Sequence, residues 1–176
     1  MAFRFSPYAV PLFLAAAMAF GLAWYALHRR HHPEARIFGL MTAALGWWSL
    51  FYAISITGAD LETQDLFNRI KYVGVMPVPP LWLLLALQYT QYRPALGWRK
   101  IGLLFAPGAL LLLIVLTDPL THLWWPEHRL EAFHGWLVLV HSHGLAYYLH
   151  ITVTYLYILL GLALYVRFYV RAQRIY

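Results

Sequence analysis

The sequence predicts an all-α polytopic membrane protein: five transmembrane helices, N-terminus outside and C-terminus inside, with a short β-hairpin cap on the outer face. Three observations predict it. Apolar residues make up 62% of the chain and charged residues 11%, whereas soluble domains carry about 25% charge. Five stretches are long and apolar enough to cross a bilayer, which takes about 20 residues of helix. The basic residues fall in short clusters between those stretches instead of covering a polar face. At 176 residues the chain reads as one domain, 1–176.

The first span, Tyr8–His28, has an apolar stretch longer than the core of a cleaved signal peptide. Its positive cluster, Arg29 and Arg30, follows it instead of preceding it, so it reads as a retained span. The second covers Ile37–Thr57. The third, Tyr72–Tyr92, carries Pro77, Pro79 and Pro80 ahead of an unbroken apolar run, Leu81–Leu87. Proline lacks a backbone donor and kinks a helix, which places these residues at the helix start or at a bend near the membrane surface. The segment before it groups Leu61, Asp65 and Asn68 on one helical face and Leu66, Phe67 and Ile70 on another. That pattern predicts a short amphipathic helix lying at the interface. Span four is Ile101–Thr117 and span five Leu145–Val166.

Between spans four and five lies the longest connection, Asp118–Gly144. Within it His128–Phe133 and Trp136–His141 alternate roughly and flank His134-Gly135, the pattern of a hairpin with a tight turn. Small residues recur at four-residue spacing: Ala15, Ala19 and Ala23 in span one, Gly39 and Ala43 in span two, Gly102 and Ala106 in span four. Such stripes let helices approach closely in lipid. Trp24, Tyr25, Tyr72, Tyr89, Tyr92 and Trp98 gather near span ends, as interfacial anchors do.

Loop charge gives the direction. Of 13 Lys and Arg residues, Arg29, Arg30, Arg36, Arg93, Arg99, Lys100, Arg167, Arg171 and Arg174 fall on one side, and Arg4, Arg69, Lys71 and Arg129 on the other. Six of the seven acids share the side of the smaller group. Basic residues favour cytoplasmic loops, so the reading is N-out and C-in.

Composition also excludes. The net charge of +6 comes from topological clusters and points to no nucleic-acid partner. Without cysteine there is no disulfide, thiolate metal site or cysteine nucleophile. No span contains an acid, which argues against a proton pump, an ion-coupled transporter or a retinal protein. No Ser/His/Asp set, phosphate-binding glycine loop or HExxH motif is present, so no catalytic site is expected. Five of the nine histidines lie in the outer connection: His122, His128, His134, His141 and His143. His141 and His143 are weak metal candidates, two imidazoles on one strand face with no carboxylate at ligand spacing, and the expected metal is none. His150 lies inside span five. The other histidine near a span, His28, is at the opposite end of the membrane, which argues against bis-histidine haem. No cofactor is expected. An aromatic-rich cavity in the outer half of the bundle, roofed by the 58–71 and 118–143 connections, is the default ligand site.

The order of features resembles the N-terminal seven-helix sensor region of bacterial histidine kinases and diguanylate cyclases. The matching pieces are Phe5-Ser-Pro-Tyr8 before span one and Ala35-Arg-Ile-Phe-Gly-Leu40 opening span two. They continue with Asn68-Arg-Ile-Lys-Tyr-Val-Gly74, Pro79-Pro-Leu-Trp-Leu-Leu-Leu-Ala-Leu-Gln-Tyr-Thr90, Pro107, Thr117-Asp118 and His122-Leu-Trp124. The resemblance implies a sensory input module of the inner membrane that binds a small-molecule or lipophilic ligand near its outer face. Of the matching residues, Asn68, Tyr72, Trp82, His122 and Trp124 are the expected ligand contacts. The chain departs from the pattern in showing five spans of seven and no output domain. The alternative reading is therefore a non-catalytic accessory subunit of a larger membrane complex. Beyond the lipid bilayer, a homodimer or such a complex is the expected partner.

Overall fold

A computed structural model describes residues 2–29, 32–90, 97–133 and 136–173; of these, the side chains of 132, 133, 136–138 and 173 are not described. Five helical runs are long and apolar enough to cross a membrane. Span one is α1 (Ala9–His28) and span two is α2 (Pro33–Thr57). Span three is built from α3 (Leu61–Ile70), α4 (Tyr72–Val75) and α5 (Val78–Tyr89). Span four is α6 (Trp98–Leu116), followed by a single turn, α7 (Asp118–Thr121). Two antiparallel strands, β1 (His128–Phe133) and β2 (Trp136–His141), pair from His128 opposite His141 to Phe133 opposite Trp136. Span five is α8 (Leu145–Gln173), which runs past the predicted end at Val166. The expected turn at His134-Gly135 and the expected end of span three at Tyr92 lie outside the described residues.

Spans one and two form a tight hairpin because each presents small residues at seven-residue spacing. Ala9, Ala16 and Ala23 are buried on α1, and Gly39, Gly46 and Ala53 on α2. A Cβ on Gly39 would sit 2.8 Å from Leu27 Cγ, and one on Gly46 3.1 Å from the Phe20 ring. With no hydrophobic gain from helix pairing in lipid, such close van der Waals packing is what holds two spans together. Of the expected four-residue stripes, Ala23 and Gly39 take part in this contact, and the spacing is corrected to seven. Ala15 faces outward, and so do Gly102 and Ala106 on α6.

The segment before span three does not lie flat on the interface. It is the N-terminal end of the span itself, and its polar face points inward: Thr63, Gln64, Asp65 and Asn68 are buried. The reason is the polar C-terminal end of α2. Ser55 Oγ donates to the Gln64 carbonyl (2.7 Å) and Gln64 Nε2 donates to the Gly58 carbonyl (2.9 Å). Asp65 pairs with Arg69 at 2.8 Å. Asp60 caps α3 by accepting the Thr63 N–H (2.7 Å) and hydroxyl (2.9 Å). Buried polar groups are tolerated where they find one another.

Because the span starts at Leu61, its prolines fall mid-helix instead of at the surface. Pro77, Pro79 and Pro80 supply no N–H, so the carbonyls of Val73, Val75 and Met76 lose their partners four residues ahead. Above this break, Gly74 lets α4 touch α2: an added Cβ would be 2.4 Å from the Ala44 carbonyl oxygen and 2.7 Å from the Trp48 nitrogen. Below it, Trp82 meets Gly161 of α8, and its indole N–H reaches the Ile158 carbonyl at 3.3 Å.

The N-terminal residues pair with the connection between spans two and three. Phe3 bridges Gly58, Arg4 N–H reaches the Thr57 carbonyl (2.7 Å) and Ala59 N–H the Ala2 carbonyl (2.8 Å). Strand β2 contacts α3. The N-terminus, the 58–60 connection and the hairpin therefore share one side of the bundle.

Candidate functional site

Among the described residues, the two largest fully buried side chains, Trp124 and Trp125, lie at this same end. Trp124, Trp125, Tyr72, Met76, Leu111, Val115 and Ala146 form one buried cluster. Asp118 organises it from the turn after span four. Its carboxylate, 3% exposed, accepts the backbone N–H of Trp124 (2.7 Å) and of Trp125 (3.2 Å). His122 closes the turn in the left-handed region (φ 51°), its N–H on the Asp118 carbonyl at 2.8 Å. Gly144 lets the chain double back, since a Cβ there would be 2.1 Å from the Leu123 carbonyl oxygen. The result presses both indoles edge-on to Tyr72, at 5.1 and 5.8 Å between ring centres.

Beside this cluster runs a cavity of about 620 Å³. Span two contributes Met41, Leu45 and Trp48, and span three contributes Lys71, Tyr72, Val75, Val78, Pro79 and Trp82. Tyr147, His150, Ile151, Thr154 and Ile158 close it from span five. Spans two and five each pack against span three and barely meet one another, so the cavity opens sideways between them. Its size falls within the 300–1,000 Å³ typical of small-molecule sites.

The polar groups sit at the end nearest this cluster. Lys71 lies where α3 turns into α4, its ammonium 4.4 Å from the Tyr52 ring centre and 5.4 Å from that of Tyr72. His150 is 7% exposed and packs on Tyr72 and Trp124. One turn deeper, the Thr154 hydroxyl is buried without a hydrogen-bond partner. Below that the lining is apolar.

Of the five expected contacts, the structure brings Tyr72 and Trp82 into the cavity wall. Trp124 stands behind it, in contact with Tyr72 and His150. His122 is exposed in the turn after α7, and Asn68 is buried in α3 with its amide nitrogen unpartnered; neither lines the cavity. The cavity is lateral, with no residue of the 118–143 connection among its lining. Lys71 and His150 were not among the expected contacts. The signal for them was present: a cation next to Tyr72, and an ionisable residue inside a span, which normally faces an interior or a cavity.

His141 and His143 meet edge-on at 5.3 Å between ring centres. Among the described residues no group of three or more His, Asp or Glu converges as a metal site. Burial, with the nearby His143, Lys71 and His128, pulls the proton affinity of His141 down to about 4.

The model of the N-terminal 7TM region of histidine kinase matches residues 11–176. The chain belongs to this family. No curated protein and no solved structure matches it. The 7TM region is a membrane sensory input module of histidine kinases and not a catalytic domain.

Proposed function

We propose that this 7TM region senses a ligand held in the cavity between spans two, three and five, and passes the signal along span five toward the cytoplasm. The observation that supports it is the cavity: apolar walls, with a lysine, a histidine and a threonine gathered at one end. A few placed polar groups in an apolar pocket are the usual make-up of a small-molecule site. The nine basic residues that follow spans one, three and five in the sequence support an N-out, C-in placement in the inner membrane, with the polar end of the cavity in the outer leaflet. The side pocket then exchanges ligand with lipid.

The test joins the chain to a histidine-kinase catalytic core and follows autophosphorylation in membranes. Ile151→Trp, which fills the cavity, shifts the rate at least about fivefold, a bias of about 1 kcal/mol between two signalling states. Leu159→Trp, on the outward face of the same helix, leaves it unchanged. Equal behaviour of the two variants overturns the reading.

A further inference from the structure

Three polar groups at one end of an apolar cleft share one need. Lys71 is the only cation lining the cavity. Among the described residues it has no carboxylate within ion-pair distance; the one buried acid–base pair nearby, Asp65 with Arg69, is already complete. An ammonium set between two phenol rings is partly stabilised by the ring faces, but that leaves its charge without a counter-ion. The His150 imidazole can donate a hydrogen bond, and the buried Thr154 hydroxyl has no partner. An anionic oxygen-bearing group complements each of the three in kind.

The rest of the cleft specifies a tail. From Lys71 to Trp82 and from Tyr147 to Ile158 the lining runs eleven residues down two helices, about 16 Å at 1.5 Å per residue. Leu45, Met41, Val78 and Ile158 line the lower part, and the gap between spans two and five opens onto the surface that faces lipid. Charge at the outer end, a long apolar slot beneath it and an opening from the bilayer describe an amphiphile standing parallel to the acyl chains.

We infer that the ligand is a single-chain amphiphile with an anionic head, its carboxylate or equivalent on Lys71 and His150 and its tail along Leu45, Val78 and Ile158. This rests on the cavity being the ligand site. It goes further in naming the head charge and the orientation.

The experiment uses the whole chain in nanodiscs of zwitterionic phosphatidylcholine. Dodecanoate brominated at its terminal carbon quenches Trp82 and Trp48 at the cavity wall. The matched methyl ester and a bromododecyl-trimethylammonium are the uncharged and cationic comparisons. Saturable quenching by the carboxylate, at least about tenfold tighter than by either comparison, is expected, since a hydrogen bond to a charged group contributes roughly 1.5–3 kcal/mol. Lys71→Gln abolishes the preference and Lys71→Arg keeps it within about threefold, the margin left for the altered donor geometry. The comparison among probes needs no variant, so a Lys71→Gln chain that fails to fold does not rescue the idea. Equal affinity for carboxylate and ester overturns the head assignment while leaving the cavity as a ligand site. If no probe quenches saturably, both that assignment and the proposed site fall. Displacement of the probe by phosphatidylglycerol doped into the disc overturns a free single-chain ligand in favour of bilayer lipid.

Discussion

Spans three and five are alike in sequence and unlike in place. Both are long, strongly apolar and able to cross a bilayer, yet 50% of the most apolar stretch of span three is buried in the bundle and only 11% of that of span five. The difference lies in what interrupts the apolar run. Span three carries Gly74 at a backbone contact, inward-facing Thr63, Gln64 and Asp65, and prolines that cannot continue a helix ladder. Span five carries Gly161 against Trp82 and turns His150 and Thr154 to the cavity, while most of its remaining surface is exposed leucine, tyrosine and valine. A helix apolar on every side is suited to lipid; one with small and polar exceptions is suited to neighbours.

That contrast can be broken most severely at Gly74. Gly74→Leu forces a side chain into the backbone of α2, and overpacking of this kind costs about 3 kcal/mol or more; the expected outcome is loss of folded protein by size-exclusion in mild detergent. Asp118→Ala should lower stability by about 3 kcal/mol in a denaturant titration, since it strands two buried N–H groups that had bonded to a charge. Gly161→Val, where span five meets Trp82 of span three, should cost about 1–3 kcal/mol, less than Gly74→Leu because an indole can move where a backbone cannot. Leu159→Ala on the open face of span five should change stability by no more than about 0.5 kcal/mol. A larger loss would mean that this face is covered by protein.

The hairpin offers a pH test. His141 titrates near 4 in the folded chain and near 6.5 when unfolded. Between these values the unfolded chain holds more protons, so stability rises with pH across this window and is fully present above about 6.5. The protection of the β1 and β2 amides, once exchange is corrected for its intrinsic pH dependence, should therefore fall as the pH drops from 6.5 toward 4, and His141→Gln should flatten that dependence.

Span number and the hairpin strands were legible because hydrophobic length and two-residue alternation are local properties. Helix packing was not. Four-residue stripes pointed to Ala15 and Gly102, whereas the contact used Ala9, Ala16 and Ala23 at seven-residue spacing, a choice between faces that only the partner helix decides. Asp60 as a helix cap was readable in principle, but the hydrophobic threshold for a span placed the helix start eleven residues too late. For the site, Tyr72 and Trp82 were found through the family pattern. His122 shared that pattern for a different reason, its left-handed turn. Lys71 was passed over because a cation beside a span reads first as a topological marker.

The missing donors in span three have a mechanical consequence. Val73, Val75 and Met76 have carbonyls without helical partners, so the ladder that stiffens an α-helix is interrupted over one turn, and the cavity wall at Val75, Val78 and Pro79 spans that turn. The half above meets span two closely at Gly74, while the half below packs on both span two and span five, meeting the latter at Trp82. The central pillar of the bundle thus has a joint, and whatever occupies the cleft leans directly on it.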